Sequence, residues 1–127
     1  MRPGMRVAQL LNVAFDMCAW EVLGSLMNGC TVVFRGSKAA DWRKCLASVD
    51  VVISTPSILA AHDPADYPNI RIAATAGEPC SVALADRWAR AGVAFHNCCG
   101  PTEVRARLTA ARTADADADV TPADDDR

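Results

Sequence analysis

The stretch Val93-Ala94-Phe95-His96-Asn97-Cys98-Cys99-Gly100-Pro101-Thr102-Glu103 decides how the rest of the chain is read. Its first three residues form a short apolar run that predicts a buried strand. Gly100-Pro101 then forces a turn. A hydroxyl and a carboxylate follow directly. In an open α/β sheet, ligands sit beyond the carboxyl ends of the strands. A turn at that edge offers an amide, backbone N–H groups, a hydroxyl and a carboxylate. That set suits a nucleotide and its metal ion.

Working outward, the same kind of strand recurs. Arg6 to Phe15 reads as a mostly buried strand, followed by Asp16 as a cap for the next helix. In that helix Ala19, Val22, Leu23, Leu26 and Met27 share one apolar face, which predicts that they point inward. Asn28-Gly29 is a stop signal. Thr31-Val32-Val33-Phe34 is β-branched and aromatic, hence a strand. Ala39 to Val49 is amphipathic, with Trp42, Cys45, Leu46 and Val49 inside. Val51-Val52-Ile53 is an apolar run of the parallel-sheet kind. Thr55-Pro56 opens a short helix over Ser57 to Ala61. His62 to Asn69 is a loop. Ile70 to Thr75 is a strand ending in the turn Ala76-Gly77-Glu78-Pro79. Ser81 to Ala91 is a helix with Leu84 and Trp88 inward, closed by Gly92. Strands alternating with helices predict an α/β fold, with a mostly parallel sheet flanked by helices.

Composition narrows the function. The 127 residues suffice for one domain, and 51% are hydrophobic, which argues against overall disorder. The formal charge of -2 gives no electrostatic case for nucleic acid or an anionic membrane. No apolar run has the length of a membrane span. The N-terminus lacks a signal peptide's long apolar region, so a cytoplasmic location is expected. The six cysteines (18, 30, 45, 80, 98 and 99) include no C-x-x-C pair, and His62 and His96 have no zinc-finger spacing. After Glu103 the chain becomes rich in Ala, Asp and Arg. A helical turn or two is expected over 105–111, and a disordered acidic tail beyond.

Three segments in order carry a resemblance. Phe15-Asp16-Met17-Cys18-Ala19-Trp20-Glu21, Ala74-Thr75-Ala76-Gly77-Glu78-Pro79 and Asn97-Cys98-Cys99-Gly100-Pro101-Thr102-Glu103 resemble successive core segments of the adenylation domain of nonribosomal peptide synthetases. These domains belong to the AMP-forming, adenylate-forming superfamily. Arg2 to Val7 resembles the lead-in to the first segment. The closest flavour is that of fungal-type hydroxamate siderophore synthetases, some of which share the Cys98-Cys99 doublet.

The resemblance implies a fragment of the N-terminal subdomain of such an enzyme, with residues 1–104 a partial AMP-binding domain and 105–127 divergent. The parent reaction joins an amino acid and ATP into aminoacyl-AMP, releasing pyrophosphate. The acyl group then passes to the phosphopantetheine thiol of a partner carrier protein domain. By position, Asp16 would pair with the substrate's ammonium group. A carboxylate there makes a charge-assisted bond. Met17, Trp20, Ser54, Ala74, Ala76 and Cys98 would line the amino-acid pocket. Gly77, Glu78 and Pro79 would flank the adenine, and Asn97 would read its amino group. Cys99 stands where the family places an aromatic against the adenine. Gly100 belongs to the same turn. Thr102 would contact the α-phosphate, and Glu103 would be the Mg2+ ligand.

In the family a lysine-containing phosphate loop precedes the first segment, and a catalytic lysine lies well downstream. The sequence contains neither, so the chain alone is expected to be inactive. The alternative from a different class is a stand-alone small α/β module that binds a nucleotide without catalysis.

Overall fold

The structure is a computed structural model and describes residues 1–98 together with Ala111 and Arg112. Its sheet contains β1 (Arg6–Gln9), β2 (Thr31–Phe34), β3 (Val51–Ser54), β4 (Ile72–Thr75), β5 (Ala94–Asn97) and β6 (Ala111–Arg112). The strand order is β2-β1-β3-β4-β5-β6. The first five strands are parallel, and β6 pairs antiparallel with β5. The α/β architecture predicted from the alternation is present. The expected helical turn over 105–111 and the acidic tail lie outside the described residues, apart from Ala111 and Arg112, which are in the β6 strand.

Helices cover both faces. One face carries α3 (Ala39–Leu46), α4 (Pro56–Ala60) and α5 (Val82–Arg90). Ala8, Val52, Ala73 and Phe95 of the sheet pack there with Leu46, Leu59, Leu84 and Trp88. The other face carries one continuous helical segment: α1 (Asp16–Ala19), a π-helical stretch (Trp20–Gly24) and α2 (Ser25–Met27). There Val7, Val51, Ile53 and Ala74 meet Met17 and Trp20. Successive strand residues thus alternate between two cores, as the pleat requires. Ser81 caps α5 by accepting the N–H of Leu84 at 3.2 Å. Arg87 Nη2 donates to the carbonyls of Leu59, Ala60 and His62, satisfying the C-terminal end of α4.

Two local expectations are corrected. The first strand ends at Gln9 rather than Phe15, and Val13 and Phe15 are exposed. The segment 16–27 also faces the opposite way from its apolar periodicity. Leu23, Leu26 and Met27 are 58%, 57% and 86% exposed, while Cys18, Glu21 and Ser25 are buried. Met17 and Trp20 supply the apolar contact with the sheet, so the leucines are not needed there. A Cβ on Gly24 would stand 2.7 Å from Trp20 Cδ1, so the indole fits only because residue 24 has no side chain. The second reason is Glu21, which backbone N–H groups draw inward.

Candidate functional site

The connections set where a crevice opens. From β1 the chain crosses to β2 on one side, and from β3 it crosses to β4 on the other. The boundary between β1 and β3 is therefore the topological switch point, where ligands of open α/β sheets bind. Pairing of β1 with β3 is confined to Val7 opposite Val51. Among the described residues no further ladder pair joins the two strands, and a cavity of about 550 Å³ lies at their carboxyl ends. Its walls come from four strand ends: Leu10 to Asn12 after β1, Arg35 after β2, Thr55 and Ile58 after β3, and Ala76 to Glu78 after β4. Asp16 and Met17 close it from the start of α1.

Asp16 is exposed at this wall, and its Oδ1 accepts the N–H of Met17 at 2.8 Å. It is the first residue of α1, with Phe15 at the cap position, so the expected capping role is not what its geometry shows. A carboxylate in the first turn is still favoured by the helix dipole. Thr55 occupies the cap position of α4 without a side-chain capping bond, and Pro56 opens the helix.

The turn after β4 is held from below. Glu78 accepts both the N–H (3.1 Å) and the hydroxyl of Ser57 in α4. These bonds, the hydroxyl's first, hold its carboxyl below the usual carboxylate range. Gly77 has φ +85, which a side chain tolerates poorly, and Met17 Sδ would be 3.6 Å from its Cβ. Pro79 is exposed in the same turn. Opposite, β4 and β5 stay in register to their last residues, with Thr75 beside Asn97. The buried Thr75 hydroxyl donates to Asn97 Oδ1 at 3.2 Å, and the Cys98 N–H reaches the Thr75 carbonyl at 2.7 Å. Asn97 therefore stands next to the Ala76–Pro79 turn.

A second, more apolar cavity of about 250 Å³ lies on the sheet face under the helical segment. Trp20, Ala74 and Cys98 line it, with Val51, Ile53, Ile72, Met1 and His96. Burial pushes the Cys98 thiol up. The residues expected to form one pocket are thus divided. Asp16, Met17 and Ala76 belong to the first cavity, and Trp20, Ala74 and Cys98 to the second. Met17 joins them, since it also packs in the cluster that holds Trp20 and Ala74. Ser54 is fully buried, donates to the Thr55 carbonyl at 3.2 Å and lines neither cavity. Cys99, Gly100, Thr102 and Glu103 lie outside the described residues. Among the described residues no cluster of His, Cys, Asp and Glu forms a metal site, and no helix is long and apolar enough to cross a membrane.

The family model of the AMP-binding enzymes matches residues 1–124. The chain belongs to the AMP-binding enzyme family. This AMP-binding chain is 56% identical over 104 residues to "Adenylate-forming reductase 03009" of Coprinopsis cinerea, covering 82% of the chain and 10% of the reductase. It is 44% identical over 102 residues to "Nonribosomal peptide synthetase gliP" of Aspergillus fumigatus, covering 80% of the chain and 5% of the synthetase. The fold matches that of the Vibrio cholerae adenylation domain AlmE, solved with glycyl-adenosine-5'-phosphate. The TM-score is 0.71 at 21% identity over 81% of the chain and 22% of AlmE. The chain therefore corresponds to part of an adenylate-forming domain of the kind found in nonribosomal-peptide-synthetase-like enzymes, and spans about a tenth or less of the curated relatives named here.

The sequence picked out Asp16, Met17, Ala76, Gly77 and Glu78, which the fold brings together. It missed Glu21, Thr75, Ser57, Arg35 and Trp42. Arg35 lies over the Trp42 ring, its guanidinium carbon 4.3 Å from the centroid, and both line the first cavity. The signal available for Glu21 was its place between small residues, Cys18 and Ser25, at helical spacing.

Proposed function

We propose that this chain supplies the acid-binding wall and one side of the adenine site of an ATP-dependent, acyl-adenylate-forming domain that activates an amino acid. The observation that carries this reading is the meeting of Asp16, Met17 and the Ala76–Glu78 turn in one cavity at the switch point, with Asn97 next to that turn. In the overall reaction a substrate carboxylate oxygen bonds to the α-phosphorus of ATP and pyrophosphate leaves. Asp16 holds the ammonium end of the acid. Gly77 to Pro79 and Asn97 hold the adenine, whose fit is supported by the side-chain-free Gly77 and by an amide already oriented by Thr75. Thr102 and Glu103 take the α-phosphate and Mg2+, and a carrier domain's phosphopantetheine receives the acyl group. A domain limit near residue 104 and a cytoplasmic parent belong to the same proposal. So does a siderophore-type parent, which rests on the Cys98-Cys99 doublet alone.

The identity to an adenylate-forming reductase favours a second reading, in which the parent reduces the activated acid. The acid need then carry no ammonium group. One titration addresses both readings. The chain is titrated by NMR with two non-hydrolysable sulfamoyl-adenosines, one aminoacyl and one with the amino group removed. The proposal expects shifts at Asp16, Gly77, Glu78 and Asn97. Asp16→Asn should weaken only the aminoacyl ligand, by roughly fivefold, since an exposed ion pair is worth about 1 kcal/mol. Equal weakening of both ligands would favour the second reading. Shifts mapping away from the first cavity would dismiss both.

A further inference from the structure

Glu21 is a fully buried carboxylate in the middle of a helical segment, with 0% of its surface exposed. Such a group is retained only if its oxygens find partners. They find them in the backbone directly after β1. Oε1 accepts the Leu10 N–H at 2.9 Å and the Leu11 N–H at 3.3 Å, and Oε2 lies 3.2 Å from the Leu11 nitrogen. Gln9 Nε2 donates to Oε2 at 3.4 Å and also to the Leu11 carbonyl.

The reason these N–H groups are available lies in the topology. In a continuous parallel sheet, residues after Gln9 would pair with the neighbouring strand. Here the ladder between β1 and β3 is limited to Val7 opposite Val51, and the ladder between β1 and β2 ends at Gln9 opposite Phe34. Leu10 and Leu11 lie past the end of both ladders of β1, and both of their N–H groups turn to the Glu21 carboxylate instead of to a neighbouring strand. Buried backbone N–H groups must be satisfied. We infer that Glu21 is a positioning residue that stands in for the sheet partners these two N–H groups lack: its carboxylate pins the Leu10-Leu11 turn and so fixes the wall of the switch-point cavity.

The consequence reaches Asp16 along the chain. After the pinned turn, Asn12 Oδ1 accepts the Ala14 N–H at 2.9 Å and the Asn12 carbonyl accepts the Phe15 N–H at 3.0 Å. The Phe15 carbonyl then accepts the Cys18 N–H at 3.0 Å, which starts α1. The loop from Leu10 to Glu21 is thereby closed at both ends, with Asn12, Phe15, Asp16 and Met17 of the cavity wall inside it. A Gln at residue 21 keeps the shape but has one acceptor oxygen and adds an N–H2 group facing donors.

The test is amide hydrogen exchange and NMR titration on the whole chain, wild type and Glu21→Gln. Glu21→Gln should speed exchange at Leu10 and Leu11 by roughly tenfold or more, because each loses a bond to a charged acceptor. Ile53 and Ala74, buried in β3 and β4, should keep their rates. In the wild type the amide shifts of Leu10 and Leu11 should titrate together, with one midpoint above the ordinary carboxylate value of 4.5, since burial raises Glu21. That titration should vanish in Glu21→Gln. The other groups felt at this site are the Arg35 charge, which favours the ionised carboxylate, and the Cys18 and Cys45 thiols. Unchanged rates at Leu10 and Leu11, or a rise shared equally by Ile53 and Ala74, would overturn the inference. So would the lack of a common wild-type midpoint, a measurement that needs no variant. The importance of the wall to the ligand rests on the proposed function. These readouts are of the backbone, so they stand or fall without it.

Discussion

The two halves of the sheet's carboxyl edge are built differently. Between β4 and β5 the ladder runs unbroken from Ile72 opposite Ala94 to Thr75 opposite Asn97, and the Cys98 N–H extends it. Backbone bonds alone bring Asn97 beside the Ala76–Pro79 turn. Between β1 and β3 the ladder stops at one residue pair, and a buried side chain supplies what the strand does not. The first half gains its order from pairing, and the second gains space for a ligand by giving pairing up. A site at a switch point therefore needs a compensating acceptor, and Glu21 fills that need here.

The largest expected effect lies on the paired side. Phe95 is buried in the main core between β5 and the α5 layer. Phe95→Ala should cost about 3–5 kcal/mol, since the cavity left cannot collapse against a continuous ladder. Against a typical domain stability of about 5–15 kcal/mol, that removes a large part of the total. Urea midpoints would check it. Met17→Ala, at a half-buried residue of the open side, should cost visibly less. If Met17→Ala costs as much, the two halves are equally packed and the contrast fails.

Next in size is Gly77→Ala. At φ +85 an alanine is strained by about 1–2 kcal/mol. The contact its Cβ would make, 3.6 Å to Met17 Sδ, is ordinary, so the cost belongs to the backbone and not to a clash. The thermal midpoint should drop while the Thr75 and Asn97 amides keep their shifts. Shifts spreading into β5 would mean that the turn and the paired strand are one unit.

A smaller effect is read from pH. Glu21 is raised above 4.5, chiefly by burial, so between that value and its raised one the folded chain binds the proton better than the unfolded chain. Stability contributed by this group is full at low pH and declines as pH rises through the window. His62 is lowered by burial, so its contribution has the opposite sign, rising with pH through the interval below 6.5. The difference between wild type and Glu21→Gln removes the His62 part. That difference should move against the wild type as pH rises, and a flat difference would show that Glu21 titrates alike in both states.

Much of this layout was legible in the sequence, and the misses share a cause. Thr31 to Phe34, Val51 to Ser54 and the Leu84–Trp88 face of α5 were readable because a parallel strand or an amphipathic helix leaves a regular pattern. Leu10 to Phe15 looked like more strand because Leu10, Leu11, Val13, Ala14 and Phe15 are apolar. Nothing local announces that the strand ends at Gln9. Glu21 carries no such signal, because a helical glutamate ordinarily faces water. The inward turn of α1 follows from the same unseen event: once Leu10 and Leu11 need an acceptor, the glutamate goes in and the leucines go out. Periodicity identifies a helix, but here the partner's unmet hydrogen bonds decide which side is buried.

The smallest expected effect tests that last point directly. Leu23, Leu26 and Met27 stand at i, i+3 and i+4 and would be the core face of an ordinary amphipathic helix. In this fold each is more than half exposed. Replacing all three with Gln removes apolar surface that is already in water. Each exposed change should stay within about ±0.5 kcal/mol, and Gln keeps a helix propensity close to that of Leu and Met. A contiguous exposed apolar stripe does have a cost in solution, since such surface promotes association. The triple variant should therefore bind less of a hydrophobic dye and stay monomeric to higher concentration, with its urea midpoint nearly unchanged. Were the stripe the buried face, three apolar-to-polar changes would each cost several times as much and the chain would unfold. A near-constant midpoint with reduced dye binding thus fixes the orientation of the segment, and with it the inward placement of Glu21.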